Sequence, residues 1–265
     1  MKRIEKNDVV SFWDRAAKTT RLTNKEGVGM LTEGNEYYAR ARTMEEFQLL
    51  DKLVSRKNKK ILEIGCGSGR YAPYFARRGI SYLGIDISGE MISLAKSIYG
   101  NNDPLIKFLH IDDVSVLNDH FDLIIFGGIT QYLNDDEVSE IVAKCSNLTN
   151  GQIITRDTLA LRARQTITNA DYPVVYRTGD ELNDEFIQYG WNLARRLESC
   201  KIKLLAIKVN FFYQKIPSAF MLLYCVHRLF LIFYKPLRPL VFVFFSRKFR
   251  IFGDKKHMFS VYERS

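Results

Sequence analysis

The chain has 265 residues, 46% of them apolar and 26% charged, which suits one α/β domain with an elaboration or two small domains. Its formal charge of +9 is unevenly placed: from Lys201 onward thirteen Lys and Arg face two acids, so the first 200 residues carry a slight net negative charge and any anionic partner should meet the C-terminal quarter. The four cysteines (Cys66, Cys145, Cys200, Cys225) are widely spaced without a CxxC pair, which argues against a zinc site or a disulfide framework and for a reduced compartment.

The opening MKRIEKNDVVSFWDRAAK is charged and lacks the apolar run of a signal peptide. Residues 1–42 are mixed and polar, with scattered aromatics. A helical pattern follows over about Thr43–Ser55, with Met44, Phe47, Leu50 and Leu53 on one face. Strands and helices then alternate. KILEIG is a buried parallel strand ending in glycines. Arg70 to Arg78 reads as a helix stopped by Gly79, SYLGID as a second strand, and Ser88 as the N-cap of a helix to about Tyr99. LIKFLHI and FDLIIFGG make the third and fourth strands. A helix over Asp135–Cys145, a fifth strand in GQIITRD, and a helix from Thr178 to Gly190 follow. WNLARRLESCKIK and KHMFSVYERS supply the sixth and seventh strands. This order predicts a Rossmann-like, seven-stranded, mostly parallel sheet with helices on both faces.

The sharpest signal is Glu63-Ile64-Gly65-Cys66-Gly67-Ser68-Gly69, between a buried strand and a helix. Glycines there let the backbone turn tightly and approach a ligand, and the next helix aims its N-terminus at it. Asp86 ends the second strand, seventeen residues past Gly69, where a carboxylate can accept from both hydroxyls of a ribose. A dinucleotide fingerprint would want glycine where Arg70 stands. Glu63 would oppose a pyrophosphate but attract a cationic sulfonium. The ligand these residues suit is S-adenosylmethionine (SAM), and a nicotinamide oxidoreductase is disfavoured.

These blocks resemble the class I SAM-dependent methyltransferase family, especially its small-molecule branch. The resemblance rests on ILEIGCGSG (61–69), YLGIDIS (82–88), EMISLAK (90–96), HIDDV (110–114) and FDLIIFGGITQYL (121–133), and runs from about Lys60 to Cys200 plus the closing strand. It implies that Glu63, Gly65, Cys66, Gly67, Ser68 and Gly69 surround the methionine and ribose portions of SAM. Asp86 would hold the ribose, Ile87 would pack on the adenine, and Asp112 would accept from the adenine amino group beside Asp113 and Val114. Phe126 and Gly127 would line the methionine end. It also implies that residues 1–59 form a helical segment closing over the cofactor, where Tyr37, Tyr38, Arg40 or Arg42 could meet its carboxylate. Residues 60–200 and 255–265 would be the core.

On the acceptor side the candidates are Gln131, Tyr132, Asp157 at the end of the fifth strand, and His257. Asp157 could equally cap a helix, and His257 could be a partly buried residue at a strand start. Cys66 reads as a small filler rather than a nucleophile. No metal site is expected. Phe126 to Tyr132 lack the Asn/Asp-Pro-Pro-aromatic box of amino methyltransferases acting on bases, which weakens a nucleic-acid reading.

Residues 201–254 separate the last two strands where the family has a short hairpin. Thirteen aromatics lie between Phe211 and Phe252, and Ser218–Tyr234 is apolar except at His227 and Arg228. The run is short of the roughly 20 residues a spanning helix needs. A packed lid is the first reading. An interfacial segment meeting anionic lipid through Lys235, Arg238, Arg247, Lys248 and Arg250 is the second, and a dimer interface the third. The sequence thus reads as a cytoplasmic methyltransferase, with membrane association at the inner face compatible with the insertion. Its acceptor would be a small or lipid-linked molecule methylated on oxygen or nitrogen. An RNA methyltransferase and a catalytically silent SAM-binding partner protein are the alternatives.

Overall fold

A computed structural model describes residues 3–23, 36–55, 57–99, 103–167, 173–199 and 255–264. They belong to one compact unit, and the readings of the insertion over residues 201–254, His227 included, lie outside the described residues.

Among the described residues two helices come first, α1 (Lys6–Thr23) and α2 (Glu36–Leu53). The core then runs β1 (Lys60–Ile64), α3 (Ala72–Ala76), β2 (Ser81–Asp86), α4 (Gly89–Tyr99), β3 (Ile106–His110) and β4 (Leu123–Phe126). It continues with α5 (Asp135–Ser146), β5 (Gln152–Ala160), β6 (Gln165–Ile167), β7 (Val174–Tyr176), α6 (Gly179–Ile187), β8 (Trp191–Glu198) and β9 (Lys255–Arg264).

Seven strands form one sheet in the order β3-β2-β1-β4-β5-β9-β8. β1 to β5 are mutually parallel, and β9 lies antiparallel between β5 and β8. The expected seven-stranded, mostly parallel fold is therefore present. Strand order reverses at β1, whose neighbours are β2 and β4. Ligands of open α/β sheets sit outside the carboxyl ends of strands at such a point.

Both faces of the sheet are covered, which is why β1, β2 and β4 are almost continuously apolar. Ile61, Leu123, Ile125 and Ile154 point to one face, packed with Leu50 of α2, Phe75 of α3 and Ile92 of α4. Leu62, Ile124, Phe126 and Ile153 point to the other, against Val138 and Val142 of α5 and Phe186 of α6. Helix starts follow side-chain chemistry. Ser88 Oγ accepts from the Met91 N–H at 3.1 Å. Asn134 with Glu137, and Thr178 with Glu181, form capping boxes at α5 and α6.

Three features depart from the sequence reading. The helix expected from Arg70 is shorter, Ala72–Ala76, because the glycine turn extends further. Residues 6–23 form a helix whose bounds the scattered aromatics did not give. It packs Trp13 and Ala17 on Met91 and Leu94 of α4, so tertiary contact rather than local pattern accounts for it. Third, β6 and β7 pair as a separate two-stranded sheet. Among the described residues no helix is long and apolar enough to cross a membrane.

The last strand is tied in by aromatic packing. Tyr262 of β9 stacks on Phe186 of α6 with ring centroids 3.9 Å apart, and both are fully buried. Phe186→Ala should therefore lower unfolding free energy by about 3–5 kcal/mol, measured by urea denaturation. A loss under about 1 kcal/mol would show that β9 is held without this stack.

Candidate active site

A cavity of 670 Å³ opens at the carboxyl ends of β1, β2 and β4. Its floor is the turn after β1. Gly65, Gly67 and Gly69 all take positive φ, at 73°, 54° and 76°, a region that side chains disfavour. The turn is fixed to β2 because the N–H groups of Gly65 and Cys66 both donate to Ile85 O, at 2.9 and 3.0 Å. Two further glycines shape it. A Cβ on Gly127 would stand 2.4 Å from Gly65 O, and one on Gly84 would stand 2.9 Å from both Cys66 Sγ and the Tyr82 hydroxyl oxygen.

Asp86 ends β2 at the cavity. Its carboxylate accepts from the Gly67 N–H at 2.8 Å and the Ser88 N–H at 2.9 Å, which fixes its plane while leaving lone pairs on both oxygens. Burial pushes its pKa up, opposed by those amide bonds. Ile87, Asp112, Asp113 and Val114 line the same end. Asp112 is exposed and pairs with Lys6 at 3.5 Å. Asp113 accepts from the Ser115 N–H at 2.9 Å and from Lys144 at 3.0 Å; these bonds, the Ser115 amide first, hold its pKa down at about 2.

Glu63 lies under the turn, on the same face of β1 as Ile61. It is 3% exposed and accepts a hydrogen bond from the Tyr82 hydroxyl. Burial pushes its pKa up to about 7 despite that bond. Gly84 sits opposite Glu63 in the β1–β2 register, and its missing side chain leaves room for the Glu63–Tyr82 pair.

The sequence-derived positions divide as follows. Glu63, Gly65, Cys66, Gly67, Ser68, Asp86, Ile87, Asp112, Asp113, Val114 and Gly127 line the cavity, as do Gln131, Tyr132, Arg42 and His257. Gly69 does not; a Cβ there would meet the Phe108 ring at 2.5 Å, so this glycine serves helix–strand packing. Phe126 and Asp157 are corrections. Period-two alternation along β4 and β5 turns both to the opposite face of the sheet. Phe126 packs beside Phe186, and Asp157 accepts from Thr130 Oγ1 at 2.6 Å beneath the same helices. Their neighbours Gly127, Arg156 and Thr158 meet the cavity instead. Burial pushes the Cys66 thiol far up, which denies it a nucleophile's charge at neutral pH. Side chains of Tyr37, Tyr38 and Arg40 lie outside the described residues.

Sequence reasoning missed Glu46 and Arg156. Glu46 of α2 is fully buried. It accepts from Arg42 Nε at 3.2 Å, from the Tyr71 hydroxyl at 2.8 Å, from Arg156 at 3.5 Å and from Arg70. Burial alone would raise its pKa, but Arg70, Arg156 and Arg42 together hold it well below the usual carboxylate range. The available signals were an Arg and a Glu four apart on α2, and a charge inside the buried strand β5.

SAM fits this donor set on the structure's own terms. The cradle at Gly65–Gly127 excludes any side chain, Asp86 offers two oriented acceptors, and Glu63 is a buried carboxyl with no cation in hydrogen-bond contact among the described residues. Gln131 Oε1 is a buried acceptor without a protein hydrogen-bond partner on the cavity wall, the kind of atom a ligand N–H or O–H satisfies.

Residues 61–151 match a family model described as a methyltransferase domain. The chain is 29% identical over 138 residues to a ubiquinone biosynthesis O-methyltransferase of Pelagibacter ubique, covering 51% of this chain and 55% of that protein. To a malonyl-[acyl-carrier protein] O-methyltransferase of Hamiltonella defensa it is 26% identical over 137 residues, covering 50% and 52%. The chain thus spans about half the length of these curated relatives. In fold it resembles a magnesium protoporphyrin IX methyltransferase from Synechocystis solved with bound SAM, with a TM-score of 0.60 at 12% identity over 100% of both chains.

The Glu63 geometry carries a stability consequence. Its folded pKa of about 7 exceeds the reference value of 4.5, so the folded state holds this proton more tightly. The associated stability is complete below the lower value and is lost as pH rises through the upper one. Glu63→Gln should remove that slope and, in urea titrations near pH 8, exceed the wild type by up to about 3 kcal/mol. A variant less stable than wild type at both ends of the range would overturn this account of Glu63.

The glycine turn, Asp86 and the cavity floor thus lie in the segment that matches a methyltransferase domain, on a fold like that of a SAM-bound methyltransferase.

Proposed function

We propose that the protein transfers a methyl group from SAM to the oxygen or nitrogen of a small-molecule acceptor. The observation that carries this reading is the side-chain-free cradle at Gly65 and Gly127, with Asp86 at one end and the Glu63 carboxyl beneath it. The curated relatives include both O-methyltransferases and N-methyltransferases, which is why the reading keeps both acceptor atoms.

SAM, when bound, supplies an electrophilic methyl group on a cationic sulfur. The residues provide position and field. Asp86, its own geometry fixed by Gly67 and Ser88, would hold the ribose hydroxyls. Ile87 and Val114 would flank the adenine, with Asp112 and Asp113 toward its polar edge. The Gly65–Ser68 turn would surround the methionine portion, with the Glu63 carboxyl beneath it. Gln131 and Tyr132 stand on the wall where an acceptor would enter, Tyr132 packed edge-on against Trp13 at 5.7 Å. Holding donor and acceptor in line supplies much of the acceleration of such a displacement, so a walled cavity matters more than any single base.

The acceptor class is tested by incubating purified protein with tritiated SAM and a cell extract, then separating lipid, RNA and small-molecule fractions. Label should enter the small-molecule fraction and be absent with Asp86→Ala, whose loss of charged hydrogen bonds should weaken SAM binding by about a hundredfold. Label confined to RNA or lipid would overturn the acceptor class. Calorimetry gives a second check. SAM and its demethylated product should bind within about tenfold of each other, and the ratio should shift toward SAM as pH rises through about 7 and Glu63 ionises. A protein that binds neither is no methyltransferase.

A further inference from the structure

The chain between β4 and α5 is held from beneath. It makes one short helical turn, Thr130–Tyr132, and reaches α5 through Leu133 and Asn134. Arg177, directly after Tyr176 of β7, is 2% exposed. Its guanidinium donates to Thr130 O, to Leu133 O at 2.9 Å and to Asp135 Oδ1 at 2.6 Å. Asp157, also 2% exposed, accepts from Thr130 Oγ1 at 2.6 Å. Asn134 adds a two-way tie to the start of the chain: its Oδ1 accepts from the Ile4 N–H and its Nδ2 donates to Ile4 O, both at 3.0 Å. Sealing a guanidinium and a carboxylate away from water is unfavourable unless hydrogen bonds replace the solvent. Here those bonds fasten one turn. Thr130 is spent on the far face, and the turn's other two side chains, Gln131 and Tyr132, line the cavity.

The wall they join is aromatic. Trp13 of α1, Tyr132 and Tyr176 of β7 all line the cavity, with Tyr132 edge-on to Trp13 at 5.7 Å. The three rings pack on Val9 and Val175. Rings on a cavity wall favour another ring by more than the area it buries. Within this apolar surround Gln131 Oε1 is buried with no hydrogen-bond partner among the described residues. An amide oxygen left in that condition is unfavourable, and a small turn of the side chain toward a donor in the cavity relieves it. A methyl acceptor brings such a donor, the O–H or N–H at which it reacts.

We propose that the Thr130–Leu133 turn, fastened from the far face by Arg177 and Asp157, selects the methyl acceptor: Gln131 accepts a hydrogen bond from its O–H or N–H, and Trp13, Tyr132 and Tyr176 receive a flat aromatic ring. This rests on the methyltransferase reading and narrows its substrate class to ring compounds bearing a hydroxyl or amine. Gln131 is the specificity-determining group, and Thr130, Asp157 and Arg177 are positioning residues that act through it. Transfer then breaks the methyl–sulfur bond, forms a bond to the acceptor oxygen or nitrogen, and releases the acceptor's proton to solvent.

The test is calorimetry on the full chain saturated with the demethylated cofactor product. Naphthol is compared with decalol, which keeps the hydroxyl but has no flat ring, and with methoxynaphthalene, which keeps the ring but cannot donate. Naphthol should bind about tenfold or more tightly than either. Gln131→Leu should bring naphthol down to the affinity of its methyl ether while keeping the ring preference. Thr130→Val, which cuts the tie to Asp157, should weaken naphthol by about fivefold or more. Both variants should hold the nucleoside within about threefold of wild type, a split that general loosening of the fold would not give. Thr130→Ala removes the same hydroxyl and takes the place of Thr130→Val if that variant unfolds. Equal binding of the three compounds, no binding of any, or a donor preference that survives Gln131→Leu would overturn the proposal. So would unchanged naphthol binding in the Thr130 variant. Loss of nucleoside affinity in Gln131→Leu would assign the amide to the cofactor and overturn it as well. If wild type does not bind the nucleoside, the methyltransferase reading falls, and the same three compounds titrated into the bare protein decide this inference separately.

Discussion

The close approach of two backbones, at Gly65 and Gly127, is the constraint from which the rest of the site follows. β1 and β4 are neighbours because the strand order reverses there, so their carboxyl ends diverge and leave a crevice. Gly127 donates its N–H to Ile64 O at 2.8 Å, which draws the end of β4 against the start of the turn. At that separation a methyl group has nowhere to go. The floor of the cavity is therefore bare backbone, and it presents carbonyl and amide groups to a ligand instead of side chains. The next ring of residues can only stand around this floor: Asp86 at one side, Glu63 below, Arg156 at the other.

Glu46 joins parts of the chain that this crevice alone would not order. Its carboxylate receives α2 through Arg42, the turn through Arg70 and Tyr71, and β5 through Arg156. A buried carboxylate without cations would be strongly unfavourable, and three buried guanidiniums without a carboxylate more so. The cluster is stable only as a set. It therefore couples the position of α2 to the conformation of the glycine turn, and a change at any member is felt on the cavity wall.

Legibility in the sequence tracked locality. The strands were readable because burial on both faces leaves near-continuous apolar runs such as KILEI and LIIF, and the glycine turn because its spacing is local. The seven-stranded sheet followed from the alternation of these runs with helices. Asp86 was legible because it ends a strand behind a glycine turn, and Asp112, Asp113 and Val114 because HIDDV resembles a family block. Phe126 and Asp157 face away from the cavity because of parity along β4 and β5, which neither a family resemblance nor a strand-end position carries; parity yields Arg156 and Thr158 instead. The bounds of α1 were not legible in its local pattern, although the resemblance implied a helical N-terminal segment: its apolar residues are few, and it packs on Met91 and Leu94 of α4. Glu46 and its arginines lie far apart in sequence, on α2, the turn and β5, so no window of the chain contains the cluster.

Glu63 shows how fold and site make opposing demands on one side chain. As a folding element it belongs to a buried apolar strand, where Ile61 and Leu62 beside it are fully buried and a carboxyl is the unfavourable choice. The local accommodations all reduce that penalty. Tyr82 donates to the carboxyl, Gly84 leaves volume for the pair, and burial shifts the pKa to about 7, so that much of the population is neutral. None of these accommodations would be needed for packing alone. They make sense for a group that must remain able to ionise when a cation arrives, since a group poised near neutrality converts cation binding into proton release at little free-energy cost.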